Sequence, residues 1–386
     1  MSDEEKTEGK GKKEKPRALA SGEIKNLINK KTGSKNAYNM FDDDPTTIPG
    51  WISTSCRLLD SNICEGKRAG IPQARITMVA SESGVGKSFL AIEVCKNAID
   101  QGLDPVYFCS EPGGIETEFL LNVLGQERMK KFTYVEISFI EEMFETIEAL
   151  MNNSENKYLF VWDSLAATPA RAQTEGSFDP QSYHAIKANV IQLGLSKLAI
   201  PLSRRQCTFL ILNQVRVNMG ATKWDLMNPM TQFSIPGGKA VIFYSSLVIL
   251  LFASVAKSNA LLGADDERIG KYAKAVLKKS RFRTEGRSIP FGFTWAGGTP
   301  HIHNEELWGE ALKERGIIRS SGPATYIKFK DGTEQRIKLD NWVEHLKDKE
   351  FYKKVDEILD DAFIINYDKS IIKDTTPSLE KMIENE

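Results

Sequence analysis

The chain is poor in the features that staple, anchor or globally charge a protein. Its five cysteines, Cys56, Cys64, Cys95, Cys109 and Cys207, include no Cys-x-x-Cys pair. An odd, unpaired set implies neither a disulfide framework nor a zinc framework and fits free thiols in a reducing compartment. Charge of one sign is also missing: 51 basic residues stand against 52 acidic ones, a net charge of -1, so any nucleic-acid surface has to be local. No clean apolar run reaches the roughly 18 residues of a membrane span. The most apolar stretch, Ala240 to Ala256, is broken by Tyr244, Ser245 and Ser246 and reads as a buried strand with its flanks. Charges stand where a secretory signal needs its apolar core, so neither export nor a membrane partner is expected, and the location implied is cytoplasmic. The four histidines, His184, His301, His303 and His345, form no metal or triad spacing with nearby Cys or carboxylates, and His301-x-His303 reads as an accident of a loop. There is no internal repeat.

What is present is an ordinary globular composition, 41% hydrophobic and 27% charged, in 386 residues, enough for one large domain and one or two small ones. Residues 1–45 mix Lys-rich and acidic patches and read as a flexible arm with one short helix around Glu23 to Lys31. Tyr38-Asn39-Met40-Phe41 is an apolar island in that arm, open to a role as subunit anchor. From Ala74 short apolar strands alternate with helices: Arg75–Ala80, Pro105–Cys109, Thr133–Ile137, Tyr158–Trp162 and Thr208–Leu212 are the strands. Such alternation implies a mostly parallel sheet covered on both faces, with ligands at the carboxyl ends of its strands. After Ile242 the strands Ser246–Leu251, Ala273–Lys278 and Ser288–Thr294 follow one another without long helices, an antiparallel or mixed extension at one edge. The composition shifts near Gly297-Gly298-Thr299-Pro300, which closes a core at 46–298. A small α/β module follows at 299–362, and an acidic tail at 363–386.

The chain is organised around Ser81-Glu82-Ser83-Gly84-Val85-Gly86-Lys87-Ser88, placed between a strand and a helix. This is the order a phosphate-binding loop requires. Glycines let backbone N–H groups converge on a phosphate, and the helix offers its positive end. Lys87 would reach the outer phosphates and the Ser88 hydroxyl would join a magnesium shell. Ser81 stands where the pattern has its first glycine. A bland alternative is a Gly- and Ser-rich turn before a helix.

Two carboxylates follow at strand ends. Glu111, just past Val106–Cys109, is placed to orient and deprotonate an attacking water, unless it is a simple cap or loop carboxylate. Asp163, ending Tyr158–Trp162 about 75 residues after Lys87, is placed for the magnesium shell, usually through water.

The next strand ends in Asn213-Gln214 and runs into Val215-Arg216, and here the resemblance becomes plain. The chain resembles the RecA family of homologous-recombination ATPases, and its divergent phage branch (the UvsX type) more than the bacterial one. Ser-Gly-Val-Gly-Lys-Ser, Asp163-Ser164-Leu165-Ala166-Ala167, Asn213-Gln214-Val215-Arg216, Pro236-Gly237-Gly238-Lys239-Ala240 and Lys279-Ser280-Arg281 carry it in order, over roughly residues 50 to 350.

The resemblance implies a RecA-like ATPase core with ATP and Mg2+ as ligands. Gln214 would sense the terminal phosphate, and Lys279 and Arg281, alternating on a strand, would reach the ATP of an adjoining subunit. A solvated basic edge strand is the competing reading of that pair. A first DNA loop is implied near Arg171 to Pro180 and a second from about Asn218 to Gly237, closed by Gly237 and Gly238. Bases would stack on Trp224 or Phe233, each equally open to a packing role, while Arg171, Arg216 and Lys223 would meet phosphates. The aromatic that stacks on adenine has no motif to place it, and Phe119 and Tyr107 are guesses.

The implied activity is a DNA-dependent ATPase, hydrolysing ATP to ADP and phosphate. It would form a helical homo-oligomeric filament on single-stranded DNA, with ATP between subunits, and exchange strands with double-stranded DNA. Single-strand-binding and loader proteins would be its partners, in the cytoplasm of a bacterial host if phage-encoded. A ring-forming replicative helicase shares this core but normally brings a longer N-terminal helical domain. A non-catalytic recombination mediator that binds ATP is the other rival, with Ser81 in its favour.

Overall fold

The computed structural model describes residues 18–33, 35–40, 46–64, 70–111, 113–174, 183–218, 220, 222, 224–225, 231–252, 260–262, 267–295, 300–322 and 324–362. The chain divides into two units, Met1–Ile48 and Pro49–Glu386.

Among the described residues of the first unit there is one helix, α1 (Ser21–Thr32). Glu23 accepts the Ala20 backbone N–H at 3.0 Å, Lys30 and Lys31 sit at the negative end, and Gly33 stops the helix with φ of 65°. Ile24, Leu27 and Ile28, spaced to share one face, are all exposed.

In the second unit β1 (Trp51–Ile52), α2 (Arg57–Ile63) and β2 (Ile71–Pro72) lead into the main layers. Then come β3 (Ile76–Ser81), α3 (Lys87–Asp100), β4 (Asp104–Cys109), α4 (Thr117–Met129), β5 (Thr133–Glu136), α5 (Ile140–Asn153) and β6 (Tyr158–Asp163). The short α6 (Arg171–Thr174), the long α7 (Tyr183–Arg204) and β7 (Thr208–Gln214) follow. A small ribbon of β8 (Arg216–Val217) and β9 (Phe233–Ser234) precedes α8 (Gly238–Tyr244) and β10 (Leu247–Phe252). The remaining sheet strands are β11 (Ala260–Leu262), β12 (Arg268–Ser280), β13 (Ser288–Thr294) and β14 (His301–Ile302).

These build a ten-stranded sheet in the order β14-β13-β12-β10-β3-β7-β6-β4-β5, with β11 added beside β12. From β10 to β5 every pairing is parallel, whereas β12, β13, β14 and β11 are joined antiparallel. The mostly parallel sheet with an antiparallel extension is thus present as expected, and β12 is longer than its apolar segment implied.

The unbroken apolar runs have a simple cause. Successive side chains of a strand point to opposite faces, and here both faces are covered. On β6, Leu159 and Val161 enter the core on one side with α3, while Phe160 and Trp162 enter the core on the other with α5 and α7. On β7, Leu210 and Leu212 divide from Phe209 and Ile211 in the same way. The first core continues into the C-terminal elements through Trp308, Trp342 and Val355. There a three-stranded antiparallel sheet, β15 (Ile318–Ser321), β16 (Ala324–Lys328) and β17 (Glu334–Ile337), packs with three short or medium helices. Parallel register brings Ser81, Cys109, Asp163 and Gln214 to one edge, with Ser81 opposite Gln214 and Cys109 opposite Asp163. No described helix is long and apolar enough to cross a membrane.

Candidate active site and nucleic-acid interface

That carboxyl edge opens into a cavity of about 450 Å³, of the size that holds a small-molecule ligand. Lys87 and Ser88 from α3, Glu111 after β4, Asp163 from β6 and Gln214 from β7 all line it. The loop that leads to α3 turns on Gly84 and Gly86, with φ of 68° and 92°. A Cβ at Gly86 would also lie 2.7 Å from the Phe293 ring, so only glycine fits. Ser81 itself closes β3 with an ordinary backbone, which is why a serine is tolerated there. Its hydroxyl donates to the Glu82 carbonyl at 2.7 Å and accepts from Lys87 at 3.0 Å.

Lys87 is buried and gives its remaining donors to the carbonyls of Ser81 at 3.3 Å and Glu82 at 2.8 Å. Burial pushes its amine below the ordinary lysine value, and the charges of Asp163, Glu111 and Glu82 oppose that drop. Ser83 stands at the cavity rim, and Val85 is buried beneath the loop.

Ser88 donates to Asp163 Oδ2 at 2.8 Å. Two oxygens, a hydroxyl and a carboxylate, suit a hard cation such as Mg2+. Burial raises the Asp163 carboxyl above its ordinary value, and hydrogen bonds from Tyr107 and Ser88 pull it back. Glu111 is held by two donors, the Ser164 hydroxyl at 3.0 Å and the Gln214 amide at 3.4 Å. Gln214 therefore bridges the candidate base to the backbone that enters β8.

Sequence reasoning missed part of this site. Lys271 of β12 donates to the Gly84 carbonyl at 3.0 Å, yet it is one lysine among several on a basic strand. Phe293 and Trp295 form an apolar wall beside Phe89 and Phe119, with Phe293 and Trp295 ring centroids 5.6 Å apart. Of the two guesses for the base-stacking aromatic, Phe119 lines the cavity, whereas Tyr107 is fully buried under Asp163. No motif spacing distinguishes these aromatics, since the fold alone folds β13 back over the loop.

Lys279 and Arg281 do not reach this cavity. β12 runs antiparallel, so Ser280 lies opposite Leu247, at the end of the sheet where β10 begins. Lys279 Nζ donates to the carbonyls of Ile242 at 2.6 Å and Phe243 at 2.9 Å, and Arg281 reaches Phe243 at 3.5 Å. Only Lys279 is on the strand. Arg281 sits just beyond it, so the pair shares the end of α8 and not one strand face.

A second cavity, about 580 Å³, lies between the two candidate DNA loops and is lined by Ala166, Lys187, Arg216, Gly237 and Gly238 among others. Gly237 has φ of 97°, and a Cβ there would come within 2.7 Å of Leu165, so this corner too needs glycine. Asn213 fastens the loop's return by donating to the Pro236 carbonyl at 2.8 Å. Lys187, which sequence reasoning overlooked, donates to the Ala166 carbonyl at 2.9 Å, and burial with the nearby Arg216 charge pushes its amine down to about 8.

Arg171 is exposed, its guanidinium 5.6 Å from the Phe139 ring centroid. Arg216 is exposed on β8, and Trp224 is 81% exposed. Phe233 differs from the expectation of a base platform: its ring is buried and stacked on Phe252 at 5.5 Å. Pairing of β9 with β8 turns it inward, so it anchors the loop. Lys223, Met219, Met227 and the segment 175–182 lie outside the described residues.

Comparison with known proteins gives this geometry a place. The RecA N-terminal domain family matches residues 20–298. Over longer spans the chain is similar to Protein RecA of Haemophilus ducreyi, 24% identical over 368 residues, covering 92% of this chain and 88% of that protein. It is 25% identical over 354 residues to Protein RecA of Wolbachia pipientis subsp. Culex pipiens, covering 88% and 89%. Protein RecA of Mannheimia haemolytica is 24% identical over 320 residues, covering 80% and 77%. With a nucleotide-sized cavity behind Lys87 and a match that spans most of the sheet, the chain belongs to the RecA family of DNA-recombination and repair ATPases.

Proposed function

We propose that the chain is an ATP-dependent strand-exchange recombinase. It assembles as a helical filament on single-stranded DNA and promotes homologous pairing with double-stranded DNA. The observation that carries this reading is the division of the catalytic set between opposite ends of one sheet. Lys87, Ser88, Glu111, Asp163 and Gln214 converge at one end, and Lys279 and Arg281 stand at the other. Such a chain completes its site only with a second copy, and a head-to-tail contact that does not close on itself propagates as a helix. The exposed Ile24, Leu27 and Ile28 stripe of α1 and the exposed Met40 supply apolar surface for that contact.

In this reading Lys87 and the α3 N-terminus bind the outer phosphates of ATP, and Phe119 and Trp295 flank the base. Ser88 and Asp163 hold Mg2+, which supplies charge neutralisation on the phosphates when bound. Glu111, steadied by Ser164 and Gln214, takes the proton of the attacking water as ADP and phosphate form. Gln214 passes the state of the site along Val215 to Arg216 and the loop that carries Trp224. Arg171, Arg216, Lys187 and Lys223 meet DNA phosphates, and Trp224 stacks on bases. Within the family we place the chain in the phage branch, the UvsX type; its support is its divergence, about one quarter identity, from the bacterial relatives. That placement implies work in a host cytoplasm beside single-strand-binding and loader proteins.

Electron microscopy with ATP and single-stranded DNA, paired with steady-state hydrolysis with and without DNA, tests the reading. Helical filaments and DNA-stimulated hydrolysis are expected. Closed rings would instead identify a helicase motor, and absence of hydrolysis in both conditions a non-catalytic mediator.

A further inference from the structure

Where the last strand of the large sheet departs toward the C-terminal elements, three side chains with metal-ligating atoms meet. β14 (His301–Ile302) pairs with the end of β13, and the chain then passes through His303 and Asn304 into a 3-10 turn at Glu305–Leu307. The donor atoms of His301, His303 and Glu306 all lie within 4.8 Å of one another. Glu306 Oε1 is 3.5 Å from His301 Nε2 and 3.9 Å from His303 Nδ1. The imidazole rings lie side by side, centroids 4.8 Å apart. Spacing of two on an extended segment puts both rings on one face. The return of Glu306 onto that face is a product of the turn, which no local sequence spacing marks.

Two further details point to an ion. His303 is only 8% exposed, its Nε2 is engaged by the Thr294 hydroxyl at 2.6 Å, and its buried Nδ1 has no hydrogen-bond partner. An imidazole tied down at one nitrogen, with an unsatisfied buried atom at the other, has the second-partner arrangement of a metal ligand. Glu306 is likewise oriented: its Oε2 accepts the Asn304 N–H at 2.9 Å, which turns Oε1 toward the rings. The Asn304 side chain is itself held by the Arg57 N–H at 2.8 Å, so the turn is anchored to the core.

We propose that His301 Nε2, His303 Nδ1 and Glu306 Oε1 bind a divalent transition-metal ion of the zinc class. Two imidazoles and a carboxylate suit Zn2+, Co2+ or Ni2+, whereas Mg2+ and Ca2+ prefer oxygen alone. Ligand atoms of a tetrahedral site with bonds of about 2.1 Å stand roughly 3.4 Å apart, which the 3.5 Å His301–Glu306 separation nearly meets and the others approach within 4.8 Å. His301 and Glu306 are partly exposed and free to close on the ion, and their exposure leaves the fourth position to water. The ion clips the edge of the sheet to the turn that begins the C-terminal elements, apart from the magnesium position at Ser88 and Asp163.

Cobalt titration of the full chain in excess Mg2+ tests this. A saturable visible d–d band at one equivalent is expected, without the near-ultraviolet thiolate band that binding to cysteine would give, and Zn2+ should abolish it. His301→Ala and Glu306→Gln should each eliminate the band while Mg2+-dependent ATP hydrolysis is retained, and Thr294→Val should weaken binding by about tenfold. Absence of saturable binding, a thiolate band, or a band that survives both ligand substitutions overturns the proposal.

Discussion

The Tyr107 hydroxyl donates to Asp163 Oδ2 at 2.5 Å, on the oxygen that Ser88 reaches at 2.8 Å. Tyr107 is fully buried, and burial, then the Asp163 charge, pushes its phenol well above the ordinary value. It stays protonated and acts as a permanent donor. Two neutral hydroxyls therefore orient a buried carboxylate without cancelling its charge, as a positioning shell does for a metal ligand. Tyr107→Phe keeps the ring packing against Phe132 and Tyr134 and removes only this donor. The Mg2+ concentration needed for half-maximal ATP hydrolysis should rise about tenfold or more. Titration of activity with Mg2+ reads this, and an unchanged midpoint would show Asp163 to be positioned by other groups.

Trp224 and Phe233 come from the same candidate loop and should separate cleanly. Trp224 is 81% exposed and touches no core, so Trp224→Ala should cost about 1–3 kcal/mol in single-stranded DNA binding and leave thermal stability and nucleotide binding alone. Phe233 is buried on Phe252, and Phe233→Ala should lower unfolding stability by about 3 kcal/mol. Paired DNA titrations and melting curves decide; equal stability losses in both variants would refute the assignment.

Placement of Lys279 away from the Lys87 cavity makes complementation a direct test. Lys87→Ala and Lys279→Ala should each lose ATP hydrolysis by about two orders of magnitude, on the scale of removing a transition-state charge partner. Mixed together on single-stranded DNA, the two variants should recover activity, because some interfaces then join an intact Lys87 to an intact Lys279. If both residues served one chain's own site, mixing would restore nothing.

Lys187, lowered to about 8, sets a pH dependence for the cavity between the loops. A phosphate contact needs the protonated amine, so affinity for single-stranded DNA should fall as pH rises through about 8. The unfolded chain holds this proton up to the ordinary value of 10.5, so the same residue makes stability rise with pH between about 8 and 10.5. Lys187→Met should flatten the affinity profile over that window, as followed by DNA binding at a series of pH values. An unaltered slope would remove Lys187 from the DNA surface.

The central strands β3, β6 and β7 were legible because they are apolar on both faces, and the helices because they fill the spaces between strands. Those are local properties, and burial on both sides of β3, β6 and β7 is their consequence. The loop around Lys87, Glu111 after β4 and Asp163 at the end of β6 were legible as candidates because phosphate and metal chemistry require fixed residue types at fixed strand ends. Contacts between distant segments carried no such mark. Lys271, Phe293 and Trp295 reach the cavity only because β12 and β13 fold back antiparallel past β10.

The sequence by itself determined the kind of protein: an α/β chain with a glycine loop ending in Lys87-Ser88 between strand and helix, two strand-end carboxylates and, by resemblance, a candidate amide sensor at Gln214. The tertiary structure alone decided the neighbours of those groups. It set Tyr107 beneath Asp163, turned Phe233 inward and Trp224 outward, and carried Lys279 to the far end of the sheet. The reason is that a motif specifies chemistry through residues close in sequence, whereas strand direction and register specify which remote residues share a surface.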